Sequence, residues 1–158
     1  MVTRRRFLAG GAVALLAGCG EEEEAVVAPA DAMLRQLAAE RALAAAMPIG
    51  VSGDAADTAR EVSARARDRA ARLAAAVAAE GGRPHDAPQP PDERVPPEEA
   101  VARGQAAIVA HVVALPSLAG RELRELGAEL VAGAAGDTAL LSDALGIPVE
   151  DPFPGTPQ

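Results

Sequence analysis

The sequence contains no tryptophan, no tyrosine and no lysine, and its 158 residues include two phenylalanines, two histidines and one cysteine. A single cysteine excludes an intrachain disulfide. Since lysine is missing, arginine supplies every fixed positive charge, and the formal net charge is −8. This acidic balance argues against a nucleic-acid partner, which requires a basic surface. The abundance of alanine at helical spacing favours close-packed helices over β-strands.

An export signal is predicted for residues 1–18. Arg4 and Arg5 stand before a short apolar run at residues 9–17, which is the order of a charged region, a hydrophobic region and small residues in a signal peptide. The run is too short to span a bilayer as a mature helix. The arginine pair resembles the twin-arginine export signal, although Ala9 stands where that pattern often has lysine.

The predicted signal ends in Leu16-Ala17-Gly18-Cys19, which resembles the lipobox of bacterial lipoproteins. The resemblance implies cleavage before Cys19 and a lipid on its sulfur, so that the membrane is a partner through this lipid. Residues 19–30, which include four consecutive glutamates, are predicted to form an acidic tether. We therefore expect a membrane-anchored lipoprotein on the extracytoplasmic side of a bacterial cell envelope. The alternative is a plain hydrophobic N-terminus with a chance cysteine.

Four stretches of helical periodicity within residues 31–146 predict an all-α fold, a four-helix bundle. The predicted helices cover about 31–47, 54–80, 97–115 and 120–146. The proline-rich residues 83–97 are predicted to form a long extended crossover between the second and third helices, residues 147–158 form a C-terminal tail, and no strand is predicted. The predicted inward-facing rows are Met33, Leu37, Glu40, Ala44 and Met47; Val62, Ala66, Arg69, Leu73 and Ala76; Val101, Gln105, Ile108, Val112 and Leu115; and Leu123, Gly127, Leu130, Ala134, Asp137, Leu141 and Ala144.

Each predicted row has one polar residue near its middle: Glu40, Arg69, Gln105 or Asp137. A buried carboxylate requires a partner. We therefore predict that Arg69 pairs with Glu40, with Asp137 or with both, because one guanidinium group can bridge two carboxylates. The alternative for each residue is a row misplaced by one position. His111, which is adjacent to Val112 in the third row, is predicted to lie at the flank of the core.

The four rows and the long middle connection resemble the ferritin-like superfamily, in which two helices each supply one glutamate and two helices each supply Glu-x-x-His to a two-metal site. Three stretches are also similar to small exported bacterial ferritin-like proteins: Leu37-Ala38-Ala39-Glu40-Arg41-Ala42, Ala114-Leu115-Pro116 and Ala139-Leu140-Leu141. Among the ligand positions that the resemblance implies, Glu40 is the unchanged one. The other positions carry Ala66, Arg69, Gln105, Ala134 and Asp137, and the sequence contains no Glu-x-x-His.

The resemblance therefore implies a degenerate metal site, with no metal, no other cofactor and no catalytic residue, and a structural or binding role. One alternative is a metal-binding oxidoreductase or metal-storage protein that holds iron or manganese at an atypical site formed by Glu40, Asp137 and Gln105, with or without His111. A second alternative is a cell-envelope interaction module whose acidic outer faces meet a basic protein. No glycine-rich phosphate loop, nucleophile elbow or Cys/His cluster points to another activity.

Overall fold

The computed structural model describes residues 28–148, which are mostly helical. The predicted export signal with Arg4 and Arg5, the lipidation position Cys19 and the tail from residue 149 lie outside the described residues. The four long helices are α1 (Pro29–Ala45), α2 (Asp54–Ala79), α3 (Pro97–Ala114) and α4 (Arg121–Leu145). Two 3-10 turns span Pro84–Asp86 and Leu115–Ser117, and two short strands span β1 (Ala46–Pro48) and β2 (Glu93–Val95).

The helix boundaries agree with the predicted ones to within two residues because the same local signals set them. α1 and α3 have proline in the first turn, where the missing N–H is not needed. α4 is terminated by Gly146, the residue that follows Leu145, whose φ of 65° is left-handed and suits glycine. The N–H of the next residue, Ile147, donates to the carbonyl oxygen of Ser142 at 3.0 Å, which closes the last turn.

The helices form a four-helix bundle in which α1 packs on α2 and α3, and α4 packs on the same two helices. The consecutive helices α2 and α3 thus lie across the diagonal of the bundle. The core consists of two apolar clusters, one around Leu43, Val62 and Ile108 and the other around Leu37 and Leu73. Along α1 and α2, the polar residues of the predicted rows lie between these two clusters.

The connection between α2 and α3 follows α1 from one end to the other. At its start, a Cβ placed on Gly82 would lie 3.1 Å from the Cβ of Ala30, near the beginning of α1. At its far end, β2 pairs in parallel with β1, with Glu93 opposite Ala46. α2 and α3 therefore begin at the same end of the bundle. Between these points, Nη1 of Arg41 donates to two carbonyl oxygens of the connection, those of Pro84 at 3.0 Å and Ala87 at 2.6 Å.

The parallel strand pair contradicts the prediction that the chain has no strand. The three-residue segments Ala46–Pro48 and Glu93–Val95 are too short for a visible alternation of apolar and polar residues. The two strands pair only because the connection brings residues 93–95 back to the end of α1, which is a feature of the tertiary structure. The last predicted residues of the first helix, including Met47, consequently belong to β1.

The inward face of α3 differs from the predicted row. Val112 is 39% exposed and Gln105 is half-buried, whereas Gly104, Ala107 and His111 are buried. The prediction followed the larger apolar residues, but α3 is apolar on several sides. Together with the turn that follows it, up to Ser117, α3 has a mean hydropathy of 1.2, which is high enough for a membrane span by composition. Within this stretch, 39% is buried. Small residues face the core because α3 and α4 approach closely.

Gly104 marks this close approach, and Gly104→Ala is expected to destabilise the bundle by about 1–3 kcal/mol through overpacking. A Cβ at position 104 would lie 2.5 Å from Oγ1 of Thr138, 3.1 Å from its Cγ2 and 3.2 Å from its Cβ. Adding Thr138→Ala removes the two nearest atoms and should recover part of the loss. Urea unfolding of each variant measures the change.

Gly136→Ala is the matched control, since no atom of residues 28–148 lies within 4 Å of a Cβ at this exposed position of α4. Helix propensity alone should then increase the unfolding free energy, by up to about 1 kcal/mol. If Gly104→Ala were as stable as Gly136→Ala, the close approach of α3 and α4 would be wrong.

Candidate functional site

All four helices contribute side chains to one buried group, the central polar cluster. Its members are Gln36 and Glu40 on α1, Arg69 on α2, His111 on α3 and Asp137 on α4. Gln36, Glu40 and His111 have 0% exposure, and Arg69, the most accessible member, has 7%. Charged groups at this depth require partners inside the protein.

Arg69 is bound to both carboxylates of the cluster. Its Nε donates to Oε1 of Glu40 at 2.7 Å, and its Nη1 donates to Oδ2 of Asp137 at 2.6 Å. These contacts confirm the predicted pairing of Arg69. Burial is the largest single influence and lowers the pKa of Arg69, but the hydrogen bonds and charges of Glu40 and Asp137 together raise this pKa above its ordinary value. Arg69 is therefore a permanent cation between two carboxylates.

A second arginine, Arg65, completes the contacts of Asp137. Its Nε donates to Oδ1 of Asp137 at 2.6 Å, so each oxygen of this carboxylate accepts from a different guanidinium group. The side chain of Arg65 is 42% exposed and connects the central polar cluster to the surface. The sequence reasoning missed Arg65. The signal that could have found it is the second arginine one helical turn before Arg69.

His111 lies in the core, and the prediction that it lies at the flank is wrong. Its Nε2 is 2.7 Å from Oε1 of Glu40, and its Nδ1 is 3.2 Å from Oε1 of Gln36. When the proton is on Nε2, Oε1 of Glu40 accepts from both His111 and Arg69, and Nδ1 is left as an acceptor beside the amide group of Gln36, whose Nε2 is the matching donor once the amide is turned. The imidazole ring is held between two side chains of α1. The sequence signal for His111 was the row of small residues Gly104 and Ala107, which it continues at helical spacing.

The remaining positions of the implied metal site do not supply ligands. Ala66 and Ala134 are buried together in the apolar cluster around Val62, and Gln105 is half-buried on α3. The hydrogen at Gly133 leaves room for the long side chain of Arg69. A Cβ on Gly133 would lie 3.4 Å from both Cδ and Nη1 of Arg69.

The donor set does not fit a two-metal centre. Within residues 28–148, no three or more His, Cys, Asp or Glu side chains are grouped so that they could hold a metal ion. Both oxygens of Asp137 and one oxygen of Glu40 accept hydrogen bonds from guanidinium groups. A divalent cation in contact with these carboxylates would meet the fixed charge of Arg69 at short range, in a medium that screens little.

Four buried polar atoms of this region have no hydrogen-bond partner within the described part of the chain: Nε2 of Gln36, Oε2 of Glu40, Nη2 of Arg65 and Nη2 of Arg69. Three are donors and one is an acceptor. Buried polar atoms of this kind are commonly satisfied by ordered water. The central polar cluster therefore contains unpaired hydrogen-bonding atoms in addition to its charged pairs.

Comparison of the chain with protein-family models, with curated proteins and with solved structures finds no match in any of the three. Within the described residues, one network of polar contacts joins all four helices through two carboxylates, two arginines, a histidine and a glutamine.

Proposed function

We propose that this protein is a lipid-anchored, extracytoplasmic bundle of the ferritin-like type in which an ion-pair network replaces the metal site. Its role is structural or binding, without catalysis. The observation that carries the proposal is the position of the Arg69 guanidinium group, which bridges Glu40 and Asp137 at the centre of the bundle. On this proposal, the Arg69 side chain takes the place between carboxylates that metal ions take in the family this chain resembles.

The course of the chain supports the ferritin-like part of the proposal. α1 and α2 form one helical pair, α3 and α4 form a second pair, and the connection between the pairs follows the length of α1. In the ferritin-like bundles, one long crossover joins two such pairs. The proline-rich composition predicted this connection to be extended, and its partners along α1 are Arg41 and β1.

The closed surroundings of the central polar cluster support a role without catalysis. Glu40 and His111 form a hydrogen-bonded acid–base pair, but both have 0% exposure and both already have protein partners. A catalytic acid or base must come within hydrogen-bonding distance of its substrate. In the structure, the packed helices stand between this pair and any substrate.

Metal content of the purified protein tests this proposal directly. We expect the protein, expressed with iron and manganese supplied and measured by mass spectrometry, to contain far less than one metal ion per chain. Near-stoichiometric iron or manganese that disappears in Glu40→Ala, but not in the matched exposed variant Glu129→Ala, would overturn the proposal. It would then favour the oxidoreductase or storage alternative.

Arg69→His tests the reason for the lack of metal. The substitution removes the fixed positive charge and offers imidazole nitrogen near Glu40, His111 and Asp137, which are suitable ligands for a divalent transition metal. We expect this variant to bind more metal than the wild-type protein in the same measurement. Equal metal content would show that the guanidinium group is not what excludes the metal.

A further inference from the structure

We propose that a groove between α1, α2 and the connection after the first 3-10 turn binds a small carboxylate with a short aliphatic chain. The groove has a volume of about 250 Å³. Its lining includes Arg41, Ala44, Arg67, Ala70, Ala74 and Asp92. Drug-sized ligands occupy pockets of about 300–1,000 Å³, so this groove suits a smaller molecule. The site lies outside the central polar cluster and does not depend on the function proposed above.

The floor of the groove is formed by alanines of α1 and α2. Ala44 and Ala70 are buried, Ala74 is half-buried, and each side chain ends at Cβ. Because no longer side chain of residues 28–148 fills the space between the two helices and the connection above them, a recess with an alanine floor remains. A short aliphatic chain placed there would exchange water for methyl contacts, and each buried methylene is worth about 0.8 kcal/mol.

Two guanidinium groups and one carboxylate give this groove a net positive charge in a chain whose net charge is −8. Arg41 holds the connection in place through the carbonyl oxygens of Pro84 and Ala87. Arg67 is bound more loosely: its Nη2 lies 3.4 Å from the carbonyl oxygen of Ala44 and 3.3 Å from Oδ1 of Asp92.

Arg67 is the anion-binding group of the proposed site because its hydrogen bonds to Ala44 and Asp92 are long and therefore weak. The side chains of Arg67 and Asp92 are 54% and 77% exposed, and an exposed ion pair of this kind contributes about 0–1 kcal/mol. A ligand carboxylate can accept two parallel hydrogen bonds from one guanidinium group, which is a stronger arrangement. A ligand carboxylate that binds Arg67 through two hydrogen bonds therefore competes with Asp92, whereas Arg41 and Arg67 repel a cationic ligand.

Two other clefts give weaker sites. Both lie against Ile147 and Pro148, and their charged lining residues are the acidic Asp143 and Glu98. They are also beside the point at which the described residues end. The groove at Arg67 combines an apolar floor with a cation, and this pairing points to an amphipathic anion.

The test is a titration of the lipid-free chain 19–158, carrying Cys19→Ser and retaining every described residue, with acetate, butyrate and hexanoate. Amide NMR shifts of Ala74 and Gln89 report binding at the groove. We expect saturable shifts with hexanoate and an affinity that increases by up to about fourfold per added methylene. Arg67→Gln should weaken binding by about tenfold, which is the loss expected for a charged hydrogen bond.

Arg60→Gln is the matched control, since Arg60 is an exposed arginine of the same helix that pairs with Asp57. It should bind hexanoate as the parent chain does. Ala74→Leu should fill the recess and abolish binding, while circular dichroism confirms that the helices remain. The proposal is overturned if hexanoate gives no saturable shifts, if acetate binds as tightly as hexanoate, or if Arg67→Gln and Arg60→Gln behave alike.

Discussion

Arg69→Ala is expected to lower the free energy of unfolding by about 3–5 kcal/mol, because it leaves Glu40 without its cation in a fully buried position. Asp137 loses one of its two guanidinium partners and keeps Arg65. The loss reflects uncompensated burial of charge rather than the net value of the ion pair, since desolvation opposes the attraction in the intact network. Denaturant unfolding of the lipid-free chain measures it.

A combined variant separates the cost of leaving a buried charge unpaired from the net contribution of the ion pair itself. Arg69→Met with Glu40→Gln and Asp137→Leu removes the buried charges, and an amide at position 40 can still accept a hydrogen bond from His111. Arg65, which loses Asp137, is 42% exposed and can turn to solvent. We expect this variant to regain much of the stability lost in Arg69→Ala, because apolar replacement of a buried ion pair is often neutral or stabilising.

Arg72→Ala is the matched control for Arg69→Ala. Arg72 is on the same helix and pairs with Glu129 at the surface, where both side chains are more than half exposed. Such a pair contributes about 0–1 kcal/mol. If Arg69→Ala were within about 0.5 kcal/mol of the wild-type protein, it would behave as a surface substitution, and the buried position of Arg69 would be wrong.

Cys19→Ser is expected to move the protein from the membrane fraction to the soluble fraction almost completely. Cleavage before Cys19 would remove three arginines and no acidic residue, so the mature chain would be more acidic than the −8 of the full sequence. The anionic membrane surface repels such a chain. A lipid on Cys19 is therefore the membrane attraction that the proposal requires, and Cys19→Ser removes it.

Cell fractionation followed by immunoblotting measures this distribution in the bacterial host. Ser52→Ala, a change in the exposed turn before α2, is the control and should remain with the membrane. Equal partitioning of Cys19→Ser and the wild-type protein would refute lipid anchoring at this cysteine. The described part of the chain would keep its fold in either case, because its helices pack on one another.

The helices and the Arg69 pairing could be predicted from sequence because their signals are local. Proline, glycine and acidic residues mark the ends of the helices, and the 3.6-residue period places Glu40, Arg69 and Asp137 in the buried rows of α1, α2 and α4. Opposite charges buried in the same core are expected to pair, because an unpaired buried charge is costly. This expectation does not depend on how closely the helices approach one another.

The strand pair was decided by tertiary structure alone, and tertiary structure also decided which of two possible rows of α3 faces the core, the row of Gly104, Ala107 and His111 or the row of Gln105 and Val112. β1 and β2 acquire their conformation by meeting after the chain has returned along α1. α3 carries apolar residues on both its buried and its exposed sides, with Val112 and Val113 at the surface, so periodicity does not distinguish its faces. Gly104 lies against Thr138 where α3 approaches α4, and on the same buried side of α3 His111, rather than Val112, lies beside Glu40.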